Sequence, residues 1–341
     1  MDAIPDNRAK VRPKRRKGRL HTIEWPTVLV LFGCYVLWLG SGIYLYPSMP
    51  IVALCVLGIA IALHSSLQHE VLHGHPTRHA KLNEALVFLP LGLVYPYRSY
   101  KRLHLQHHAD ERLTDPYDDP ESYYRASDDW AAQPPILKTI LSWNNTLMGR
   151  VTLGPPLMVF GFMATQWRSI LGGDRKVALA WAIHITGLVP TILIIEFGFG
   201  IPIWLYGLTS VYLGIALIAV RSFCEHQWSE RVDGRTIIVE RSVLAPLFLY
   251  NNLHFVHHKL PSVPWYRLPA LYRGRREDWQ EMNEGYVFRS YFDVIRAFSF
   301  RAKEPVVHPA LRCAEAKMAV QIEETASIFS FTDEVPTPEM P

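Results

Sequence analysis

Four long apolar segments divide this chain, and their lengths predict that each one crosses a membrane. They cover residues 27–46, 51–73, 177–197 and 203–220, the second continuing past its apolar part as a helix. An α-helix needs about 20 predominantly apolar residues to cross roughly 30 Å of hydrocarbon. The hydrophobic pattern therefore predicts four transmembrane helices.

Two shorter apolar stretches interrupt this pattern. Residues 86–97 are only about a dozen residues long and contain two prolines, while residues 151–166 contain a Gly-Pro-Pro sequence near their start. The first stretch is too short to cross a bilayer. We predict that both are re-entrant or interfacial pieces.

Histidines form three clusters with helical spacing. His104, His107 and His108 lie at positions i, i+3 and i+4, which share one face of a helix, and the same spacing recurs from His254. Neutral imidazole is a common ligand of several transition metals. A catalytic zinc takes about three protein ligands, so eight clustered histidines predict at least two metal ions of undetermined identity. The eight are His69, His73, His104, His107, His108, His254, His257 and His258.

The clusters are predicted to lie at one face of the membrane. A helix that starts at Ile51 reaches His73 after ~33 Å, about the thickness of the hydrocarbon core. If the second and third clusters share this side, two spans must separate them, and residues 177–197 and 203–220 supply these two spans. Residues 151–166 must then not cross the membrane.

The charge distribution predicts which side this is. Residues 1–20 hold eight Lys and Arg against two Asp, so this segment has a net charge of +6. The whole chain has a net charge of +4, so the remaining residues together carry −2. A basic segment directly before an apolar helix follows the positive-inside rule. We therefore expect the N-terminus and the histidine clusters to be cytoplasmic, and we expect no nucleic-acid binding. The four cysteines form no CxxC pair and predict no disulfide framework.

The three clusters resemble the histidine boxes of the membrane fatty-acid desaturase and hydroxylase superfamily. Box one reads HEVLHG from His69, box two HLQHH from His104 and box three HFVHH from His254. The segment RSFCEH, which ends at His226, resembles the lone histidine that the family places between boxes two and three. The resemblance spans about residues 25–269 and implies nine histidine ligands for a di-iron centre. Such a centre activates O2 to remove hydrogen from an unactivated C–H bond.

Several polar residues are candidates to orient these ligands. Four acids that follow box two can accept hydrogen bonds from ligand imidazoles and fix their tautomers; they are Asp115, Asp118, Asp119 and Glu121, of which Asp115 and Asp119 are preferred. Glu225 directly precedes His226, and Asn251 precedes box three, where it could hold a metal-bound water. The histidines outside the boxes are predicted to be surface, supporting or packed core groups; they include His64, His75, His79 and His184.

Together these features predict an all-α integral membrane protein. It would have four transmembrane helices, re-entrant or interfacial helices and a cytoplasmic histidine-rich cap that holds two metal ions. We divide the chain into a basic cytoplasmic arm (1–24), a membrane desaturase-like domain (25–272), a short cytoplasmic helical segment (273–302) and a flexible C-terminal tail (303–341).

The expected function is that of an oxidoreductase that uses O2 and external electrons to desaturate a fatty acyl chain of a membrane lipid. Hydroxylation shares the same hydrogen abstraction, so a lipid or carotenoid hydroxylase or ketolase remains an alternative. A membrane metal-binding protein or transporter is a third possibility, but transport sites lie near the midplane rather than at helix ends. The chain contains no His-Pro-Gly-Gly haem motif and no cysteine cluster. We therefore expect a separate electron donor, similar to ferredoxin or cytochrome b5.

Overall fold

The structure is a computed structural model that describes residues 23–109 and 112–310. Four of its helices are long and apolar enough to cross a membrane, which confirms the four predicted spans. The described residues are mostly helical and contain one sheet of two short parallel strands. The all-α fold class is therefore confirmed. Nearly all of the predicted basic arm and most of the predicted tail lie outside the described residues.

The bounds of the elements follow in chain order. The spans are α1 (Trp25–Leu45), α2 (Pro50–Leu72), α9 (Arg175–Gly198) and α10 (Ile203–Glu225). Between α2 and α9 lie α3 (Ala80–Leu86), α4 (Tyr97–Ala109), α5 (Ser127–Ala131), α6 (Pro135–Asn144), α7 (Leu147–Thr152) and α8 (Gly154–Leu171). After α10 come β1 (Ile238–Val239), α11 (His254–Lys259), α12 (Leu268–Gly274), α13 (Arg276–Met282), β2 (Val287–Phe288) and α14 (Tyr291–Phe298).

Two spans that end at the histidines are packed against each other through small residues. A Cβ atom at Gly214 of α10 would lie 2.6 Å from Cγ2 of Ile61 and 3.1 Å from the carbonyl oxygen of Gly58, both on α2. Only glycine allows the backbones to approach this closely. The contact holds α2 and α10 in a fixed register, and each helix delivers histidines at its C-terminal end.

The fourth span continues beyond the predicted end at residue 220. Arg221 interrupts the apolar pattern, but its Nε lies 2.8 Å from Oε1 of Glu225 one helical turn later, and both side chains are buried. An ion pair of this kind lets a helix carry charged groups into a buried site. The helix therefore reaches Glu225 and places His226 directly after its last turn.

The stretch between α3 and α4 is irregular, as its prolines predict. Residues 87–96 lie among the spans, and carbonyl groups of residues 86–93 accept a hydrogen bond from one side chain of each span. His184 Nε2 donates to the carbonyl oxygen of Leu93 (2.8 Å), and the Tyr206 hydroxyl donates to that of Leu91 (2.9 Å). Non-helical backbone at membrane depth requires such internal partners. The other two donors are Tyr35, to Leu86, and Gln68, to Val87.

The second re-entrant piece consists of α7 and α8. Leu147 at the start of α7 packs in a cluster with Phe223, near the end of α10, whereas Thr152 accepts a hydrogen bond from Tyr212, about three turns further from that end. Helix α8 then returns, because Gln166 accepts a hydrogen bond from Ser99 of α4 (2.7 Å). The chain thus enters and leaves on the side that carries the histidines.

Residues after α10 form a cap over the histidines. Strands β1 and β2 pair in parallel, and α11 packs under α12 and α13 through apolar side chains. The first residues of the predicted flexible tail belong to this cap. Lys303 Nζ donates to the carbonyl oxygen of His226, and the backbone of His308 donates to that of Arg125 (3.0 Å). These internal bonds hold residues 303–308 in place, so the flexible segment cannot start at 303.

Candidate metal centre

The structure brings all nine predicted histidines together in two adjacent groups. In each group the nitrogen atoms that can bind a metal lie within 4.8 Å of one another. The rings of His108 and His258, one from each group, are stacked with their centroids 4.1 Å apart. The first group comprises His69, His73, His104, His108 and His257, and the second comprises His107, His226, His254 and His258.

Four elements supply these side chains. Helix α2 contributes box one in its last turn, α4 contributes box two, the end of α10 positions His226, and α11 contributes box three. Because box two has i, i+3, i+4 spacing, His104 and His108 point into the first group while His107 points into the second. Box three divides in the same way, with His257 in the first group and the other two in the second.

The first group consists of buried nitrogen atoms that no protein group satisfies. The Nε2 atoms of all five histidines are buried and lack a hydrogen-bond partner. Burying polar atoms without partners costs about 1–3 kcal/mol each. Five such atoms in one place match the chemistry of an imidazole-ligated metal site.

In the second group, the hydrogen bonds made by Nδ1 indicate that Nε2 is the atom available to a metal. The Nδ1 atom of His107 donates to Asp119 Oδ1 (2.8 Å), and that of His226 donates to the carbonyl oxygen of Arg235 (3.3 Å). These protonated Nδ1 atoms leave Nε2 with a lone pair in the neutral ring. Yet Nε2 of His226 lies 3.0 Å from Nε2 of His107 and 3.1 Å from that of His254. A cation between these lone pairs removes their repulsion, so the residues present fit a metal ion.

Asp119 holds the position predicted for a supporting carboxylate, whereas Asp115 does not. Asp119 is buried and accepts hydrogen bonds from His107 and from the backbone of Thr114 (2.8 Å). Asp115 Oδ1 instead accepts backbone hydrogen bonds from Tyr117 (2.8 Å) and Asp118 (3.1 Å). Its carboxylate therefore closes a local turn, and no contact with a box histidine is present in the described residues.

Glu225 and Asn251 act in series rather than separately. Asn251 Nδ2 donates to Glu225 Oε1 (3.1 Å), which orients the amide so that its oxygen accepts from His254 Nδ1 (3.0 Å). Glu225 itself lies 3.7 Å from that nitrogen and also pairs with Arg221. The amide oxygen of Asn251 is thus used to orient an imidazole, which leaves it poorly placed to hold a metal-bound water.

Glu121 is one of the four acids predicted as candidates, although the sequence favours Asp115 and Asp119 over it. Its Oε1 accepts from His104 Nδ1 (2.8 Å), and its Oε2 lies 3.9 Å from His107 Nε2, so one carboxylate faces both groups. Glu121 lies two residues after Asp119 in the same acidic loop. The Asp-Pro-Glu sequence at 119–121 is a local signal for it, because the Pro120 turn directs two carboxylates at box two.

The electrostatics of the site favour neutral rings at most positions. Burial lowers the pKa of His73 and His226 to about 3, and it holds the pKa of His257 well below its usual range. Burial also lowers the pKa of His107, but the Glu121 and Asp119 carboxylates outweigh it and raise that pKa to about 9. The same carboxylates increase the affinity of its Nε2 for a metal cation.

The histidines outside the boxes have other roles. His184 supports the re-entrant stretch, and the Nε2 atom of the buried His64 lies 3.4 Å from the hydroxyl of Tyr35. His75 is buried and its Nδ1 lies 2.9 Å from the Glu24 carboxylate, while His79 is exposed. None of the four belongs to either metal-binding group.

Comparison with known proteins agrees with this geometry. Residues 46–290 match the profile of the fatty acid desaturase family. The chain is also 22% identical over 219 residues to the beta-carotene ketolase of Paracoccus sp. (strain N81106 / MBIC 01143), which covers 62% of this chain and 73% of that protein. The region that matches the family profile contains all three histidine boxes, His226 and three of the four spans, because α1 ends at Leu45, directly before it. The chain therefore belongs to the fatty acid desaturase family.

Proposed function

We propose that this protein is an O2-dependent desaturase that acts on a fatty acyl chain of a membrane lipid. The observation that carries the proposal is the convergence of nine imidazoles, in two adjacent groups, at one end of four membrane-spanning helices. Family membership supports a membrane oxidoreductase of the desaturase and hydroxylase type. Desaturation and the lipid substrate go beyond that family assignment.

The nine histidines would bind two iron ions, one in each group. Iron bound there supplies the oxidising chemistry that activates O2, which no amino-acid side chain can supply. Asp119, Glu121 and the Asn251 amide accept hydrogen bonds from Nδ1 of His107, His104 and His254, which orients these imidazoles with Nε2 as the atom that would bind the metal. The chain thereby keeps the ligand set preorganised and limits reorganisation during the reaction.

We also propose that the fold restricts water and lets an apolar chain approach the histidines. Most of the box histidines are buried between the spans and the cap, and the apolar core of α1, α2 and α10 extends up to them. A lipid chain can approach laterally from the bilayer, whereas bulk water meets the cap. Excluding water protects a reactive centre from side reactions.

The reaction requires an external reductant. Desaturation breaks one C–H bond on each of two adjacent carbons, forms a C=C bond and reduces O2 to two waters with two further electrons and two protons. We propose that a separate ferredoxin-like or cytochrome b5-like protein delivers these electrons at the cap. We also propose that the cap and the N-terminus are cytoplasmic, in accordance with the basic residues at 1–20.

Ketolation of a carotenoid is the second candidate function. It is supported by the similarity to a protein named beta-carotene ketolase. Ketolation and hydroxylation insert oxygen where desaturation removes a second hydrogen, so the same ligand set can serve all three.

One experiment distinguishes the reactions. The protein is expressed with a ferredoxin and its reductase in two hosts, one with saturated membrane lipids and one that accumulates β-carotene. Mass spectrometry of the lipid extracts should show acyl chains that have lost two hydrogens, with β-carotene unchanged. Oxygenated β-carotene with unchanged acyl chains would replace our proposal by the second candidate. No change in either host, with two irons bound and reduced, would refute both.

A further inference from the structure

Two chain segments beside the fourth span each present an arginine followed by an exposed apolar residue. The backbone N–H of Arg241 donates to the carbonyl oxygen of Arg289 (2.8 Å), so the two arginines lie side by side at the end of the β1–β2 pair. Val243 follows the first and is 96% exposed, and Phe292 follows the second and is 69% exposed. Exposed apolar side chains next to two neighbouring arginines are typical of a surface that contacts a membrane or another molecule.

This surface lies at the level where the fourth span leaves the membrane. Leu244 and Leu247 pack in one apolar cluster with Ile218 and Val220, which belong to the last turns of α10. The first turn of α14 joins the same cluster through Tyr291. The segments that carry the two arginines therefore wrap around the end of a transmembrane helix, and their exposed residues face its surroundings.

The arginines border an open cleft with an excess of positive charge. The cleft has a volume of about 470 Å³ and is lined by Glu240, Arg241, Arg276 and Arg289. Glu240 is already engaged, because its Oε1 accepts hydrogen bonds from Arg276 Nε (2.5 Å) and the Tyr272 hydroxyl (2.7 Å). The guanidinium groups of Arg241 and Arg289 have no hydrogen bond or ion pair to another side chain in the part of the chain that the structure describes.

We propose that this cleft binds the phosphate headgroup of an anionic phospholipid in the leaflet that borders the cap. The Arg241 and Arg289 guanidinium groups face the phosphate, which arginine recognises with parallel hydrogen bonds. Val243 and Phe292 insert beside the acyl chains, as residues at a membrane interface do. The bound lipid fastens the β1–β2 pair to the membrane. Because the backbone N–H of Val239 in β1 donates to the carbonyl oxygen of Asn252, the segment before box three is held with it.

A lipid fits these observations better than an acidic protein partner. A soluble electron carrier would meet the cap away from the bilayer, whereas the exposed Val243 and Phe292 directly adjoin Leu244 and Tyr291 in the chain, and these two pack in the cluster with the last turns of α10. Basic residues at a membrane surface each strengthen binding to anionic lipid by about 1 kcal/mol, or roughly fivefold. Arg241 and Arg289 together therefore predict a preference of ~30-fold for anionic over zwitterionic lipid.

The test uses the purified full-length protein in detergent, titrated with phosphatidylglycerol or phosphatidylcholine and followed by native mass spectrometry. We expect R241Q/R289Q to lose ~30-fold in apparent affinity for phosphatidylglycerol and to keep its affinity for phosphatidylcholine. Each single substitution should lose roughly fivefold, which keeps the test informative if the double variant folds poorly. The control R125Q/R231Q removes two exposed arginines outside the cleft and should bind phosphatidylglycerol like the parent.

Three results would overturn the proposal. The first is an equal loss in the cleft and control variants, which would indicate only bulk charge. The second is displacement of the lipid by glycerol phosphate at comparable concentration, which would indicate a site for soluble phosphate. The third is unchanged lipid binding with slower reduction by an acidic ferredoxin, which would assign the cleft to the electron donor.

Discussion

Replacing Asp119 by Asn tests how the supporting groups control the metal centre. Asp119 Oδ1 accepts from His107 Nδ1 (2.8 Å) and from the backbone N–H of Glu121 (2.9 Å), while Oδ2 accepts from that of Thr114 (2.8 Å). An asparagine has one oxygen and one NH2 group in these positions. An NH2 group at the Oδ1 position would lose the bonds from His107 and Glu121, and an NH2 group at the Oδ2 position would lose the bond from Thr114. In both orientations His107 loses its negatively charged acceptor.

The expected magnitude follows from the loss of the carboxylate charge behind His107. A hydrogen bond to a charged group contributes about 1.5–3 kcal/mol, which corresponds to roughly a 10–100-fold change in an equilibrium constant. Loss of a supporting carboxylate behind a metal-bound histidine weakens metal binding by about the same factor. We therefore expect D119N to bind metal in the second group ~10–100-fold more weakly and the first group to stay near parental affinity.

The assay is a competition titration of apo-protein with Fe(II) against a chelator under anaerobic conditions. The matched control is D118N, because Asp118 is the neighbouring acid but is exposed and pairs only with Arg112 (2.7 Å) among its described ion-pair partners. D118N should bind metal like the parent. If D119N and D118N had equal metal affinities, the role assigned to Asp119 would be wrong.

Three further predictions concern catalysis, packing and pH. H107A should abolish product while the protein stays in the membrane fraction, whereas H79A, at an exposed position outside both groups, should retain turnover; full turnover in H107A would remove His107 from the ligand set. G214A should lower the free energy of unfolding by about 1–3 kcal/mol, because its Cβ would lie 2.6 Å from Ile61 Cγ2. G161A, which meets no atom within 4 Å, should be neutral or stabilising by comparison, and equal melting temperatures would refute the packing argument. In the apo-protein, the raised pKa of His107 (about 9, from 6.5) stabilises the fold below pH 6.5, and this contribution should disappear as pH rises through 9. A parent-minus-H107N difference in apo melting temperature that did not shrink across this range would contradict it.

The sequence predicts the spans and the histidine boxes well because their signals are local. The length of an apolar run shows whether a helix can cross the bilayer. The i, i+3, i+4 spacing shows that the histidines share one face of a helix. It also predicts that residues 86–97 and 151–166 re-enter rather than cross. The hydrophobic pattern does not reveal which polar residues of the spans stabilise the irregular stretch at 87–96. His184 and Tyr206 donate to carbonyl groups of that stretch, and tertiary packing brings these partners together.

The supporting groups show where local reasoning ends. Asp115 and Asp119 look equivalent in sequence, but the Asp115 carboxylate accepts a backbone hydrogen bond within its own turn. Asp119 and Glu121 instead accept hydrogen bonds from histidines of box two. Likewise, Glu225 and Asn251 are 26 residues apart and act on the same imidazole. Contacts of this kind depend on how α4, α10 and the cap meet, which spacing within one element cannot report.

The iron content of the purified protein after anaerobic reconstitution with Fe(II) tests most directly whether the nine histidines form a paired metal centre. We expect two tightly bound ions per chain in the parent. H108A, in the first group, and H258A, in the second, should each retain one. A parent that binds one ion or none at saturation, or variants that both keep two, would contradict a paired centre built from these nine histidines.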